Sequence, residues 1–308
     1  DIAIRQAVSV VVPSVRMAVA WPEETAAASP GDRVPLTVEM TNSGTTLLQN
    51  LSLSIPLPDA IIDATALGKN PGTYRDGVLT IRGGDVQELT ALAPGESVRI
   101  ALTIPIARAP TGGTDLSLTL SPRLTAFPPA APDIPYSKTV STRPLAIGTA
   151  LTLTPSIRYF SPEGDQLGRG PLPPRVGKVT KYWATMQIKN TTSEVTGVVW
   201  SARLPANVAW SGKKSMSHGE TVFYDAASRR LSWRAPSLAP HEDAYLGLEL
   251  SLMLDESHIG TTPALLEQIV LTARDEYIGE DITVTNGEET TALPADDIGR
   301  SKGTAVIP

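Results

Sequence analysis

The chain carries one long pattern twice. Residues 92–104 read Leu-Ala-Pro-Gly-Glu-Ser-Val-Arg-Ile-Ala-Leu-Thr-Ile, and residues 238–250 read Leu-Ala-Pro-His-Glu-Asp-Ala-Tyr-Leu-Gly-Leu-Glu-Leu, an offset of 146. Three further landmarks recur in the same order. Val12-Pro13-Ser14-Val15-Arg16 matches Thr154-Pro155-Ser156-Ile157-Arg158 at an offset of 142. Met40-Thr41-Asn42-Ser43 matches Ile188-Lys189-Asn190-Thr191 at 148, and Leu57-Pro58 matches Leu204-Pro205 at 147. A solenoid repeats every 20–50 residues or so, far below this period. Two homologous modules of ordinary domain size are expected, spanning 1–147 and 148–298, with 299–308 as a C-terminal tail or linker. The drift in offset marks loop insertions, which surface loops tolerate.

Period-two alternation says what each module is made of. Leu36, Val38 and Met40 alternate with polar positions, as do Leu51, Leu53, Ile55 and Leu57, then Val98, Ile100, Leu102 and Ile104, then Leu116, Leu118 and Leu120. The second module repeats the pattern with Tyr182, Ala184, Met186 and Ile188, with Val198, Trp200, Ala202 and Leu204, and with Leu246, Leu248, Leu250 and Leu252. One apolar and one polar face per strand is the pattern of an antiparallel sheet wet on one side. Turn signals such as Ser29-Pro30-Gly31-Asp32, Asn42-Ser43-Gly44 and Asp76-Gly77 separate the strands. With 27 prolines in 308 residues, long helices are disfavoured. The only helix candidate is the short stretch 263–268. About seven short strands per module predict an all-β fold, namely two tandem immunoglobulin-like Greek-key β-sandwich domains.

The motifs Ser29-Pro30-Gly31-Asp32, Met40-Thr41-Asn42-Ser43-Gly44, Leu51-Ser52-Leu53-Ser54-Ile55-Pro56-Leu57-Pro58 and Leu92-Ala93-Pro94-Gly95-Glu96 resemble the immunoglobulin-like conserved repeat domain of large bacterial and archaeal surface proteins. The second module departs from the pattern, with Val176-Gly177-Lys178 for Pro-Gly-Asp and Asn190-Thr191-Thr192 for Asn-x-Gly. Its Tyr159-Phe160, 170–177, Lys181-Tyr182-Trp183 and Asn190-Thr191-Thr192 look like surface repeats of candidate-phyla bacteria. The resemblance implies a β-sandwich fold and an extracellular, cell-surface place. It implies no catalytic residue.

A search for chemistry excludes more than it finds. With no cysteine, thiolate metal sites, disulfides and a cysteine nucleophile are ruled out. The three histidines, His218, His241 and His258, are dispersed, without metal spacing or a triad pattern. No Gly-x-Ser-x-Gly elbow occurs, and Gly168-Arg169-Gly170 lacks the Gly-Lys-Ser/Thr of a phosphate loop. No enzyme activity and no organic cofactor are expected. A net charge of −6 leaves no basic footprint for nucleic acid, and no apolar run reaches the roughly 18 residues of a membrane span. The start at Asp1 reads as a processed or excised piece.

Three places remain as candidate sites. Asp275, Glu276, Glu280 and Asp281 form the densest acidic stretch and are weak candidates for Ca²⁺, which wants several oxygen ligands; solvated turn charge is the plainer reading. Trp183 occupies the outward phase of its strand and is a candidate partner contact; packing on a neighbouring strand is the alternative. Val8, Val10, Val11 and Val12 lie in a strongly β-prone stretch ahead of the first module, and residues 1–12 read as a linker or as a strand exchanged with another copy. Pairing inside the first module is the bland alternative. Asn50-Leu51-Ser52 and Asn190-Thr191-Thr192 fit the glycosylation tripeptide, the second being better explained by a strand-end turn. Expected partners are other copies of the chain or other surface proteins, and a glycan or host surface under the adhesin alternative. The leading expectation is a structural surface component that polymerises head-to-tail by strand addition. An adhesin binding through loops at one end of the sandwich is the alternative.

Overall fold

A computed structural model describes residues 12–308. The chain divides between Gly148 and Thr149 into two compact units. In the first, one sheet runs in the order Val15–Ala20, Arg33–Asn42, Ser97–Pro105. A second runs Tyr136–Thr139, Arg123–Phe127, Leu48–Pro56, Val78–Arg82, Thr73–Arg75, and Leu145–Ile147 joins Ala27–Ala28 to Ser117–Leu118 in a small third sheet. In the second unit, one sheet runs Leu151–Arg158, Thr180–Asn190, Asp243–Leu252, Val208–Met216, and the other runs Phe223–Asp225, Arg230–Leu238, Val195–Arg203, Ala264–Asp275, Asp281–Asn286. The chain crosses repeatedly from sheet to sheet, as in an immunoglobulin-like Greek key. Each unit has its own apolar core, built from the inward phases of both sheets.

The alternation explains these cores strand by strand. Arg33–Asn42 and Thr180–Asn190 bury every second residue, and all the inward positions expected in the second module are buried. Trp200 and Trp233 face each other across neighbouring strands and are sealed from solvent. Trp210 packs at the margin of the same core.

Two of the repeated landmarks meet in space. Asn42 is fully buried, and its amide nitrogen donates to the Thr46 and Leu92 carbonyls at 2.8 Å each. Asn190 does the same in the second unit, donating to the carbonyls of Ser193, Leu238 and Ala239 at 2.7, 3.1 and 2.9 Å. Each asparagine therefore ties the end of one strand to the Leu-Ala-Pro turn of the next sheet crossing. Inside those turns Glu96 accepts from the Ala93 N–H, and Glu242 accepts from the Ala239 N–H. The repeated motif is a pair of polar staples that keep buried backbone groups satisfied.

The turn also explains Gly95 and its substitute. Gly95 has φ +84, and His241 holds the same place at φ +61. A side chain pays about 1 kcal/mol or more for this left-handed conformation. The His241→Gly variant is expected to raise the urea midpoint of the second unit by an amount equivalent to about 0.5–1 kcal/mol; an unchanged or lower midpoint would show that the imidazole contributes compensating contacts.

Three expectations are corrected. The Pro13 and Pro155 landmarks are not equivalent. Val15 lies opposite Asn42 and Leu151 lies opposite Asn190, so the first strands correspond at an offset of 136, and Pro155 sits within its strand opposite Met186. Residues 299–308 are not a tail or linker. The short helix Asp297–Ser301 runs into this stretch, Val306 enters the second core, its N–H donates to the Thr261 carbonyl, and Ile307 bridges Arg175. The stretch 263–268 is not helical but opens the long strand Ala264–Asp275, because its neighbours in the sheet supply partners that an isolated turn would lack.

Candidate functional site

The outward face of the second unit's four-stranded sheet is the most developed surface feature. Asp243–Leu252 alternates in the expected way, yet its outward residues Gly247 and Glu249 are buried. Gly247 is covered by Trp183, whose indole lies so close that a Cβ built there would stand 2.8 Å from its Cζ2. The indole Nε1 donates to the Tyr245 hydroxyl at 3.3 Å. Trp183 is thus outward and half-buried, packed on a neighbouring strand with part of its ring open. Tyr245 beside it is 38% exposed.

Glu249 is covered by a bulge. Between Trp210 and Lys214 the strand Val208–Met216 slips register against Asp243–Leu252, and the extra residues wrap the carboxylate. Lys181 Nζ donates to Glu249 Oε1 at 2.9 Å and Lys213 Nζ to Oε2 at 3.2 Å. Burial raises the Glu249 carboxyl, but bonds from Lys181, Ser211 and Lys213 outweigh it and hold the group at about 2. The folded value lies below the ordinary one, so this stabilisation is present above about pH 4.5 and is lost as the pH falls toward 2. Lys213 is more than half exposed, so solvent screening trims the effect to about 1–3 kcal/mol. Acid titration of the urea midpoint is expected to show this loss in the native chain and a shallower slope in Glu249→Gln; equal slopes would remove Glu249 from the account.

The acidic stretch is divided rather than gathered. Asp275 is fully buried, and its carboxylate accepts from the backbone N–H of Thr149 at 2.7 Å and of Tyr277 at 2.9 Å. It closes the turn 275–279 and anchors the first residues of the unit. Glu276 bonds the Thr196 hydroxyl, Asp281 pairs with Arg274, and Glu280 is exposed. Among the described residues, no group of three or more His, Cys, Asp or Glu is placed to hold a metal ion. A carboxylate saturated by N–H donors is poorly placed to ligate Ca²⁺.

The remaining candidates are placed as follows. Val12 is exposed, while Val8, Val10 and Val11 lie outside the described residues. His218 pairs with Glu242 at 2.7 Å, and its carbonyl accepts from the Trp233 indole. His258 pairs with Asp255 within a short turn. Asn190 is buried with its amide nitrogen engaged three times over, unlike Asn50, which is exposed. Glu249 and Lys213 were not singled out in the sequence, where Leu248-Glu249-Leu250 reads as an ordinary wet position, and Lys181 was noted only within the segment Lys181-Tyr182-Trp183. The signal was indirect, since only the strand register sets Trp183 opposite Glu249.

Fold and surface together define tandem immunoglobulin-like β-sandwich units. No family model matches the sequence, and no curated protein matches it. Among solved structures, the chain is similar to the full-length major pilin SpaD from Corynebacterium diphtheriae, at 9% identity over 80% of this chain and 59% of that one, with a TM-score of 0.32. It is similar to three N-terminal domains of the type V pili tip protein Mfa5 from Porphyromonas gingivalis, at 13% identity over 33% of this chain and 22% of that one, with a TM-score of 0.28. Both pilus structures are longer than the part this chain spans.

Proposed function

We propose that this chain is a non-enzymatic structural component of the cell surface that self-associates, each sandwich serving as a building unit. The observation that carries the reading is the duplication itself. What recurs between the units is the buried Asn42 and Asn190 staples, the Leu-Ala-Pro turns and the strand order. The repeated residues are those that hold main chain together, so duplication has preserved build rather than a reaction centre. Electron microscopy of the intact chain over a range of concentrations tests this. Filaments or lattices that grow with concentration are expected, and isolated particles at every concentration would overturn it.

A recognition role is a second reading, favoured by one feature. Trp183 and Tyr245 present aromatic surface beside the Lys181–Glu249–Lys213 cluster, a combination suited to stacking on a sugar ring while bonding its hydroxyls. A glycan-array signal lost in Trp183→Ala, with the fold intact by circular dichroism, would support it. No signal from the native chain would remove it.

A further inference from the structure

Among the described residues, the sheet containing Ser97–Pro105 lacks a counterpart of the second unit's strand Val208–Met216, and this leaves a length of its main chain open. In the second unit, Val208–Met216 flanks Asp243–Leu252, with Ser215 opposite Gly247 and Met216 opposite Leu246. Ser217 continues the cover: its N–H donates to the Tyr245 carbonyl at 3.0 Å, and its hydroxyl accepts the Tyr245 N–H at 2.9 Å. The repeat makes Arg99 and Ala101 the counterparts of Tyr245 and Gly247.

In the first unit the cover begins in the same way and then stops. Ile62 bridges Ile106 as Val208 pairs with Leu252. The chain then turns through the 3₁₀ segment Ala64–Ala66 instead of continuing as a strand. The Asp63 N–H takes the Pro105 carbonyl, and the Asn70 side chain takes both backbone groups of Thr103, at 2.7 and 2.9 Å. Thr103 shows which way the open groups point, because alternate residues of an antiparallel strand turn N–H and C=O to the same side. Arg99 and Ala101 share that side. Among the described residues, Ser97–Pro105 pairs only with Arg33–Asn42, and nothing continues the cover past Thr103.

The edges of the equivalent sheet in the second unit are protected. Pro155 interrupts one, and the bulge with Lys213 and Lys214 distorts the other. The open edge at 97–101 has neither device.

We propose that this edge receives residues 8–12 of a second copy of the chain as an added antiparallel strand. The proposal rests on the self-association reading and names its contact. Residues 6–15 carry no charge, and Val8, Val10, Val11 and Val12 are strong strand formers. Val11-Val12-Pro13 also matches Val306-Ile307-Pro308, and that segment pairs by main chain with Arg175. The corresponding place in the first unit is taken by Leu145–Ile147. Donor and acceptor are different surfaces of one chain, so the contact is heterologous and propagates into an open filament.

The absence of native cysteine makes disulfide trapping clean. Full-length chains carrying Val10→Cys together with Arg99→Cys, or with Ala101→Cys, would be oxidised mildly beside a control pairing Val10→Cys with Ala209→Cys. At least one test pair is expected to give a ladder of linked multimers about tenfold faster than the control, since only Cβ atoms within about 4.5 Å close a disulfide readily. In parallel, Ala101→Pro removes one donor on the open side while leaving the ladder to Arg33–Asn42 untouched, and is expected to weaken association about tenfold. A disulfide closing only within monomers would overturn the proposal. So would undiminished association without preferential cross-linking, which would leave the self-association reading standing. Monomers at all concentrations would remove both.

Discussion

The Asn190→Ala variant is expected to lower the stability of the second unit by about 3–5 kcal/mol. The amide nitrogen serves three carbonyls, and the amide oxygen accepts the Thr149 hydroxyl at 2.8 Å. Truncation removes the side-chain donor from the Ser193 and Leu238 carbonyls, while the Ala239 carbonyl keeps the Glu242 N–H and the Thr149 hydroxyl keeps Thr191 and Thr192; each buried group left short of a partner costs about 1–3 kcal/mol before relaxation. Partial rescue by water keeps the total below the sum. Asn190→Asp is expected to be at least as damaging, because a carboxylate has no hydrogen to give the carbonyls of Ser193, Leu238 and Ala239. Asn42→Ala should produce a similar loss in the first unit, where the same staple binds Thr46 and Leu92. Urea unfolding followed by tryptophan fluorescence measures both. A loss below about 1 kcal/mol at Asn190 would mean that the staple is dispensable and that the repeat must be explained otherwise.

The second large effect is expected at the paired core tryptophans, and it separates two kinds of indole. Trp200→Ala should cost about 3–5 kcal/mol, the usual range for emptying a large buried aromatic site. Trp200→Phe should cost much less than Trp233→Phe. The Trp200 Nε1 is buried with no hydrogen-bond partner, so losing it relieves a polar atom as well as removing apolar contact. The Trp233 Nε1 donates to the His218 carbonyl at 3.1 Å, and Phe would break that bond. Thermal unfolding of the three variants distinguishes these cases. Equal costs for the two Phe variants would show that volume alone governs the pair.

Much of the architecture was legible in the residues. Arg33–Asn42, Ser97–Pro105, Thr180–Asn190 and Asp243–Leu252 were readable because each has one wet and one dry face, which writes period two into the sequence. The Asn and Leu-Ala-Pro landmarks were readable because few residues satisfy a buried strand end. The first landmark misled by six positions. Pro-Ser-x-Arg matches by composition, whereas strand correspondence is set by the partner across the ladder. Val306 was missed because a single buried residue between Ala305 and Ile307 has no period to detect.

The candidate sites were legible as residue types and not as environments. Asp275 and Asp281 are near neighbours in sequence, yet one is sealed under backbone donors and the other pairs with Arg274 in solvent. Trp183 was rightly placed on the outward phase, but its seat on Gly247 and its bond to Tyr245 depend on a strand about sixty residues away.

By itself, the sequence determined that the chain is all-β, that a module is present twice, and which side chains face inward. These follow from local rules of alternation, turn chemistry and internal repetition. Only the tertiary structure decided which carboxylates are buried, where the C-terminal residues dock, and that, among the described residues, Ser97–Pro105 has no counterpart of the strand Val208–Met216 that flanks Asp243–Leu252. Those properties belong to pairs of segments far apart in the chain. Main-chain groups are the same in every residue, so whether an edge is covered is settled by what folds beside it.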